Sequence, residues 1–334
     1  MKSKVTIGIC VKNCENYIGE TIGSILEQDF PNELMEVTVV DGYSTDKTLS
    51  IIKRELGRSN TKTNIFLENE GLGVARQIVV DEARGDFIIW VDGDMVLRMD
   101  FVTKQIEFMD KHPTAGIAKG RYELRRNIQH KSIVASLEDF EFLVNTFVEG
   151  ETNSKVLGTS GCIYRVEALQ RIGGFDRNIT GVGEDMDVEN RIRKDGWQLF
   201  ISPAVFYETR RQTWASLWKE YFWHGSGGRY MLSKDRRVVI SYKFLPPIAI
   251  LTEIFRIPTA YRLTHKKIVL LLPFHYVFKR TAWVLGFIRS LIDRSNLRNG
   301  ESEQTRKKDS LLSLLEDSHK AMHLQQVSVG GKHY

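Results

Sequence analysis

The chain has 334 residues, 42% hydrophobic and 27% charged, a composition that can bury a large core and excludes intrinsic disorder. Its net charge of +5 is unevenly spread: the first 199 residues carry 25 Lys and Arg against 32 Asp and Glu, and the remainder carries 22 against 10. An acidic front half joined to a basic, partly apolar back half needs two separate explanations.

Met1–Lys4 runs straight into strand-like residues, so no signal peptide is expected at this end. The three cysteines, Cys10, Cys14 and Cys162, are odd in number and form no CxxC pair. They predict neither a disulfide framework nor a zinc site, and point to a reducing cytoplasm.

Val5–Val11 reads as a buried strand, and residues 16–28 as a helix with Ile18, Ile22, Ile25 and Leu26 on one side. A second strand over 36–40 ends at Asp41. Thr45 is the expected N-cap of the next helix, which carries Leu49, Ile51 and Ile52. A strand over 64–67, a helix over 73–83 and a strand over 86–91 follow. This alternation predicts βαβ units and a mainly parallel sheet flanked by helices, whose ligands bind beyond the carboxyl ends of the strands. Residues 100–210 read as less regular, with Glu184 opening a helix that runs through Ile192. Three apolar runs between Phe244 and Ile292 are broken by Pro246, Pro247, Pro258, Pro273 and several Lys and Arg. Each is read as too short to span a bilayer, and their mixture of aromatic, basic and aliphatic residues suits helices lying in an interface. The polar end has one amphipathic stretch near Leu311–Leu315.

Several residue groups could carry chemistry. Asp92 and Asp94 flank Gly93 directly after a hydrophobic strand, where two carboxylates can share Mg²⁺ or Mn²⁺. Asp41, also at a strand end, could accept a hydrogen bond from a nucleobase. The glycine-bearing loop 69–73 opens a helix that carries Arg76, a potential anion site. Glu184 and Asp185 at a helix start include a candidate general base. His224 lies among aromatics and glycines. Taken singly, each has a plainer reading as turn chemistry, a helix cap, dipole complementation or a packed side chain.

Order and spacing add to these signals. Ile9-Cys10-Val11-Lys12-Asn13, Val39-Val40-Asp41-Gly42-Tyr43-Ser44-Thr45-Asp46, Asn69–Arg76, Ala83-Arg84-Gly85-Asp86, Asp92-Gly93-Asp94, Gly173-Gly174-Phe175-Asp176 and Gly183-Glu184-Asp185 succeed one another along residues 4–230. In this the chain resembles the family 2 nucleotide-sugar glycosyltransferases, which have the GT-A fold. It departs from the family pattern at Cys10, where a proline is usual, at Lys12, and at Gly42 in place of a second aspartate.

The resemblance implies a GT-A (Rossmann-like) catalytic domain over 1–235, with a nucleotide half to about residue 98 and an acceptor half over 99–235. A helical, membrane-associating region over 236–296 and a polar tail over 297–334 complete the expected organisation. It implies that Cys10, Val11, Asn13, Asp41, Arg76, Asp92 and Gly93 bind the donor, and that Asp94, Asp92 and His224 hold Mg²⁺ or Mn²⁺. Gly161, Cys162 and Glu184 would contact the acceptor, and Asp185 would be the base of an inverting displacement with Glu184 positioning it. The expected donor is a UDP- or GDP-sugar. The expected acceptor is a polyprenyl phosphate or lipid-linked glycan at the cytoplasmic face of a membrane.

Three alternatives compete. A soluble glycan or protein acceptor would leave the C-terminal helices to dimerise, and a homo-oligomer is left open. A nucleotidyltransferase would carry a glycine- and lysine-rich phosphate loop, but Cys10–Gly19 offers only Lys12 and Gly19. A nucleic-acid binder would lay its charges on a polar face, whereas here they alternate with aliphatic runs, so no nucleic-acid partner is expected.

Overall fold

The computed structural model describes residues 3–124, 132–146, 150–152, 156–234, 250–251 and 253–292. The tail expected over 297–334 and the start of the first apolar run at Phe244 lie outside the described residues.

The front of the chain folds as its alternation predicts: β1 (Val5–Val11), α1 (Ile18–Leu26), β2 (Met35–Asp41), α2 (Thr48–Leu56), β3 (Lys62–Leu67), α3 (Leu72–Glu82) and β4 (Phe87–Trp90). The strands lie in the order β3-β2-β1-β4, all parallel. β2 and β4 are buried along their whole length and β1 nearly so, because helices cover both faces; that is why they read as continuous apolar runs. Successive residues of β4 feed opposite layers: Phe87 and Ile89 join a cluster with Ile7, Ile22, Val37 and Phe206, whereas Ile88 and Trp90 join Val79, Tyr164, Phe175 and Val188.

Thr45 is not the cap of α2. The helix starts at Thr48, whose N–H is held by the Asp46 carboxylate at 2.9 Å. Thr45 instead donates its N–H to Asn13 Oδ1 at 2.8 Å, tying the loop after β2 to the loop after β1.

The second half is more regular than its charge pattern suggests. It contains β5 (Met95–Leu97), α4 (Phe101–Lys111), β6 (Ala115–Tyr122), α5 (Ile133–Thr146), β7 (Gly150–Glu151), β8 (Cys162–Arg165), α6 (Val166–Arg171), α7 (Glu184–Lys194) and β9 (Gln198–Glu208). The sheet continues from β4 as β8-β6-β9-β5, with β7 also on β9. β8 runs antiparallel to both its neighbours, and β9 is parallel to β6 but antiparallel to β5 and β7. The parallel character therefore belongs to the first four strands and the β6–β9 pair. β5 follows β4 in the chain yet pairs at the far end of the sheet, opposite the last residues of β9.

Beyond the sheet come α8 (Trp214–Lys234), α9 (Ile257–Thr264), a 3₁₀ turn (Lys267–Leu271) and α10 over 272–292. Leu137 and Phe140 of α5 pack with Ala260, Val269 and Leu272 in a separate apolar cluster that seats these helices on the catalytic layers. The expectation that each C-terminal apolar run is too short to span a bilayer needs correction. Lys267–Ile292 is one continuous helical stretch of 26 residues, long and apolar enough to cross a membrane by length and composition alone. Pro273 does not break it, because it falls in the first turn of α10, where its missing N–H costs no hydrogen bond.

Gly161 shows how tightly the two halves meet. It has φ +68°, its N–H donates to the Trp90 carbonyl at 3.1 Å, and an added Cβ would lie 2.7 Å from the Phe206 ring. Gly161→Ala combines left-handed strain with overpacking and should destabilise the fold by about 3 kcal/mol. A lower urea midpoint at unchanged m-value is the expected readout.

Candidate active site

The carboxyl ends of β1 and β4 face one crevice, where the order of the strands changes direction. Beside it, beyond the ends of β1, β2 and β3, opens a cavity of about 310 Å³, walled by Cys10, Val11, Lys12, Val40, Gly42, Glu68, Asn69, Gly71, Leu72, Ala75, Thr180 and Trp223. That volume is at the lower end of small-molecule pockets, roughly 300–1,000 Å³.

Asp41 is fully buried, and its two oxygens accept the Ser44 N–H at 2.9 Å and the Ser44 hydroxyl at 2.6 Å. It therefore braces the turn, and the cavity wall is made by its neighbours Val40 and Gly42. Asn13, at φ +52°, holds the same turn through Ser44 and Thr45. Burial pushes the Cys10 thiol up to about 12, so it is a neutral wall residue and no nucleophile.

The loop before α3 is not the anion cradle its glycines suggest. The N–H groups of Glu70 and Gly71 both donate to Glu68 Oε1. Those of Leu72 and Gly73 donate to the Thr180 and Ile179 carbonyls at 3.3 and 3.1 Å. The glycines are needed because this turn lies directly against the backbone of residues 176–180, leaving no room for a Cβ on Gly71 or Gly73.

Arg76 likewise has a protein partner. Its guanidinium is buried beneath Trp90 and Phe175, at 5.8 and 6.0 Å from their ring centres, and bonds Glu184 Oε1 at the start of α7. Burial alone would lower its pKa, but Glu184, Asp185 and Asp92 outweigh that and hold it above its usual value. Burial raises Glu184 to about 7 against the pull of Arg76. Its second oxygen, Oε2, is buried with no hydrogen-bond partner. Asp185 is half-buried, and its Oδ1 accepts the Met186 N–H at 2.7 Å.

Gly93 is enclosed by Cys14 and Val11, which an added Cβ would meet at 2.8 Å, so it shapes the turn between Asp92 and Asp94. Asp92 is raised by burial, with Arg76 opposing. Asp94 is raised to about 7 by burial, then by Glu208 and Asp92. Glu208 is a residue the sequence reading missed. It ends β9 opposite Met95, and the Thr209 N–H donates to the Asp94 carbonyl at 3.0 Å. Arg210 pairs with Glu208 at 2.9 Å, and Arg211 approaches Asp94 at 4.0 Å. The signal was present as Glu208-Thr209-Arg210-Arg211 at the end of an apolar run, but it gains meaning only once β9 is known to pair with β5.

The donor set decides whether the site fits a metal. Asp92, Asp94 and Glu208 are hard oxygen donors, and the charge of Glu208 helps to raise both aspartates, the electrostatic setting a hard divalent cation would relieve. Among the described residues, neither Glu208 nor His224 joins Asp92 and Asp94 in a set of three ligand atoms within 4.8 Å. His224 packs between Tyr221 and Trp223, and burial lowers its pKa, with Glu220 and Asp185 opposing. Among the described residues, the group of three ligand-type side chains within 4.8 Å is Glu138, Glu141 and His275, and the Lys279 ammonium already sits against both carboxylates.

Gly161 and Cys162, expected at the acceptor, lie inside the fold. Cys162 is fully buried, with its thiol on the Gly158 carbonyl at 3.1 Å, and both backbone groups of Gly161 are used internally. The segment near Asp185 is instead 157–158, whose N–H groups are gathered by the buried Glu189 carboxylate at 2.5–3.1 Å.

Residues 6–173 match the sequence profile of glycosyl transferase family 2. The chain belongs to that family. Over 110 residues it is 34% identical to the poly(ribitol-phosphate) beta-N-acetylglucosaminyltransferase TarS of Staphylococcus aureus, a match spanning 33% of this chain but only 19% of TarS. It is 25% identical over 228 residues to a dolichyl N-acetyl-alpha-D-glucosaminyl phosphate 3-beta-D-2,3-diacetamido-2,3-dideoxy-beta-D-glucuronosyltransferase of Methanococcus voltae, covering 62% of this chain and 67% of that one. Among solved structures, the mannosyltransferase PcManGT of Pyrobaculum calidifontis, in complex with GDP-Man and Mn²⁺, superposes with a TM-score of 0.61 at 18% identity, covering 88% of both chains. That likeness supports the GT-A architecture of this family 2 member.

Glu189 supplies a test of the site's electrostatics. Burial, with Asp185 adding to it, raises Glu189 from 4.5 to about 8. A carboxyl whose folded pKa is raised binds more protons in the folded state, so stability falls as pH rises between about 4.5 and 8. Glu189→Gln should flatten that part of the metal-free stability–pH curve, whose limiting slope is about 1.4 kcal/mol per pH unit per group. Urea midpoints at half-unit pH steps are the measurement.

Proposed function

We propose that the chain is an inverting, metal-assisted glycosyltransferase using a UDP- or GDP-sugar and an acceptor at a membrane surface. The reading is carried by one convergence: the strand-end acid Asp92 and the helix-start pair Glu184–Asp185 all act on Arg76, next to the cavity that contains Cys10, and Asp92 links this group to Asp94 and Glu208. The nucleotide would lie in that cavity, against Cys10, Lys12, Val40 and Leu72. Asp94 and Asp92, with Glu208 beside them, would hold Mg²⁺ or Mn²⁺; the bound cation would neutralise charge on the departing diphosphate. Asp185, free of the Arg76 pair, would take the proton of the acceptor hydroxyl, while Glu184, anchored by Arg76, would set the start of α7. A base facing the sugar from the side opposite the diphosphate gives direct displacement with inversion.

The membrane assignment rests on exposed apolar surface. Leu251, Ile254, Phe255, Tyr261, Leu270 and Phe274 are exposed, Phe255 by 81% and Phe274 by 63%. Arg262, Lys266 and Lys267 lie among them in the chain. Such a surface can bury rings at headgroup depth while its cations meet anionic lipid, each contributing about 1 kcal/mol. A polyprenyl phosphate or lipid-linked glycan acceptor and a cytoplasmic-face location would follow. If these helices join copies of the chain instead, a soluble acceptor fits better.

Purified protein incubated with Mn²⁺ or Mg²⁺, a panel of UDP- and GDP-sugars and polyprenyl phosphate should release nucleoside diphosphate only when metal and acceptor are both present. Asp185→Ala should lower kcat by about 10²–10⁴-fold with donor binding retained. Asp94→Ala should abolish metal-dependent donor binding, and absence of donor binding by the wild type with metal present would overturn the assignment. In flotation assays, Phe255→Ser/Phe274→Ser should lose most of the binding that wild type shows to vesicles of phosphatidylglycerol and phosphatidylcholine. Equal flotation of both proteins would sink the membrane reading.

A further inference from the structure

Far along the chain from the site residues, α10 buries a lysine. Lys279 is fully enclosed, and its ammonium donates to Glu138 Oε1 at 2.6 Å and Glu141 Oε2 at 2.5 Å, both on α5. The ring of Tyr221 on α8 lies 4.5 Å from the same ammonium, and the Tyr221 hydroxyl faces Glu138 Oε2 at 3.5 Å. His275, one turn before Lys279, is also fully buried, with its ring nitrogens 3.1 and 3.7 Å from these carboxylates. Glu253 and Arg256, paired at 2.7 Å, flank the cluster. Three helices thus meet at one ammonium, which occupies the place a bound cation would take.

A buried ion cluster is weak evidence for stability, since well-packed apolar residues often do as well; its attested use is to fix register. Here register matters. α8 and α10 touch backbone to backbone: a Cβ on Gly225 would fall on the Trp283 carbonyl, and one on Gly286 on the Phe222 carbonyl. Gly227 of α8 is pressed against Val182 in the same way, in the turn that leads to Glu184 and Asp185. Between these contacts, α8 presents Trp223 to the 310 Å³ cavity. A slip of α10 against α5 would therefore move both a wall of the donor cavity and the turn before the proposed base.

We propose that Lys279, clamped by Glu138 and Glu141, is a positioning residue that sets α8 and thereby the affinity for the donor nucleotide. The inference rests on the transferase reading above. It goes beyond it, because none of these three side chains lines the donor cavity.

The test is equilibrium binding of UDP and GDP, with Mn²⁺, to the full chain. The variants are Lys279→Met, the charge-free triple Glu138→Gln/Glu141→Gln/Lys279→Met, and Gly225→Ala, which forces α8 and α10 apart independently. Each folded variant should bind the wild type's preferred nucleotide at least tenfold more weakly. In turnover the loss should appear in donor KM and, through the turn before Asp185, in kcat as well. Lys279→Arg, which keeps the cation, should recover part of the affinity. If Lys279→Met does not fold, the triple variant, which leaves no unpaired charge, decides the matter. A lowered Tm with nucleotide affinity within twofold of wild type would show a merely structural cluster and overturn the proposal. Failure of the wild type to bind either nucleotide would overturn the transferase reading itself, so the two failures are distinguishable.

Discussion

The buried pair between Arg76 and Glu184 is the constraint on which the site depends. It joins α3 of the parallel half to α7 of the second half across 108 residues of sequence, under Trp90 and Phe175. A guanidinium can be taken out of water only beside a carboxylate, and removing one member of such a pair typically costs about 3–5 kcal/mol because the other is left charged and alone. The pair therefore fixes where α7 begins. With it go the placement of Asp185 and, through the Glu189 carboxylate on the same helix, the 157–158 segment. The two halves touch elsewhere, but here the contact is electrostatic and directional.

Around this pair the protein concentrates negative charge it does not fully neutralise. Asp92, Asp94, Glu184 and Glu189 are all raised, each chiefly by burial. Arg76, Arg210 and Arg211 offset part of the surplus, and the rest is an electrostatic demand for a cation. The acidic front half seen in the composition is thus concentrated functionally at one crevice. The basic back half has a different distribution: Lys279 and Arg256 are spent on buried partners, whereas Arg262, Lys266 and Lys267 lie in the chain among the exposed apolar residues Tyr261, Leu270 and Phe274.

The parallel half was legible because each buried strand is a continuous apolar run ending in turn residues, and Val5–Val11 appears with the expected bounds. Asp92, Asp94, Glu184 and Asp185 were legible as acids at element ends, and it was their order along the chain, more than any one of them, that set them apart from ordinary turn and helix-cap acids. What escaped depends on pairing between distant segments. Glu208 acquires its place only through the β5–β9 ladder. The Glu184 partner of Arg76 is invisible until α7 is packed against it, and the glycines at 71 and 73 read as a phosphate cradle until residues 176–180 close over them. Asp41 and Thr45 illustrate a local ambiguity: both are good turn formers, and only the neighbouring loop, through Asn13 and Ser44, decides which hydrogen bonds they make. The helical span through Pro273 was missed because a proline is harmless in a first turn and disruptive two turns later.

The short strand after the Asp92–Asp94 turn closes a long loop. Met95 cannot meet Glu208 until roughly 110 intervening residues have been brought into place, an ordering whose entropic cost must be met before the contact contributes anything. The parallel sheet can form from near neighbours, whereas the acidic crevice is completed only when the last strand arrives. Completion of the crevice is therefore a late event in folding and an early casualty of partial unfolding, so activity would report damage to the second half of the sheet before the bulk of the helical signal changes.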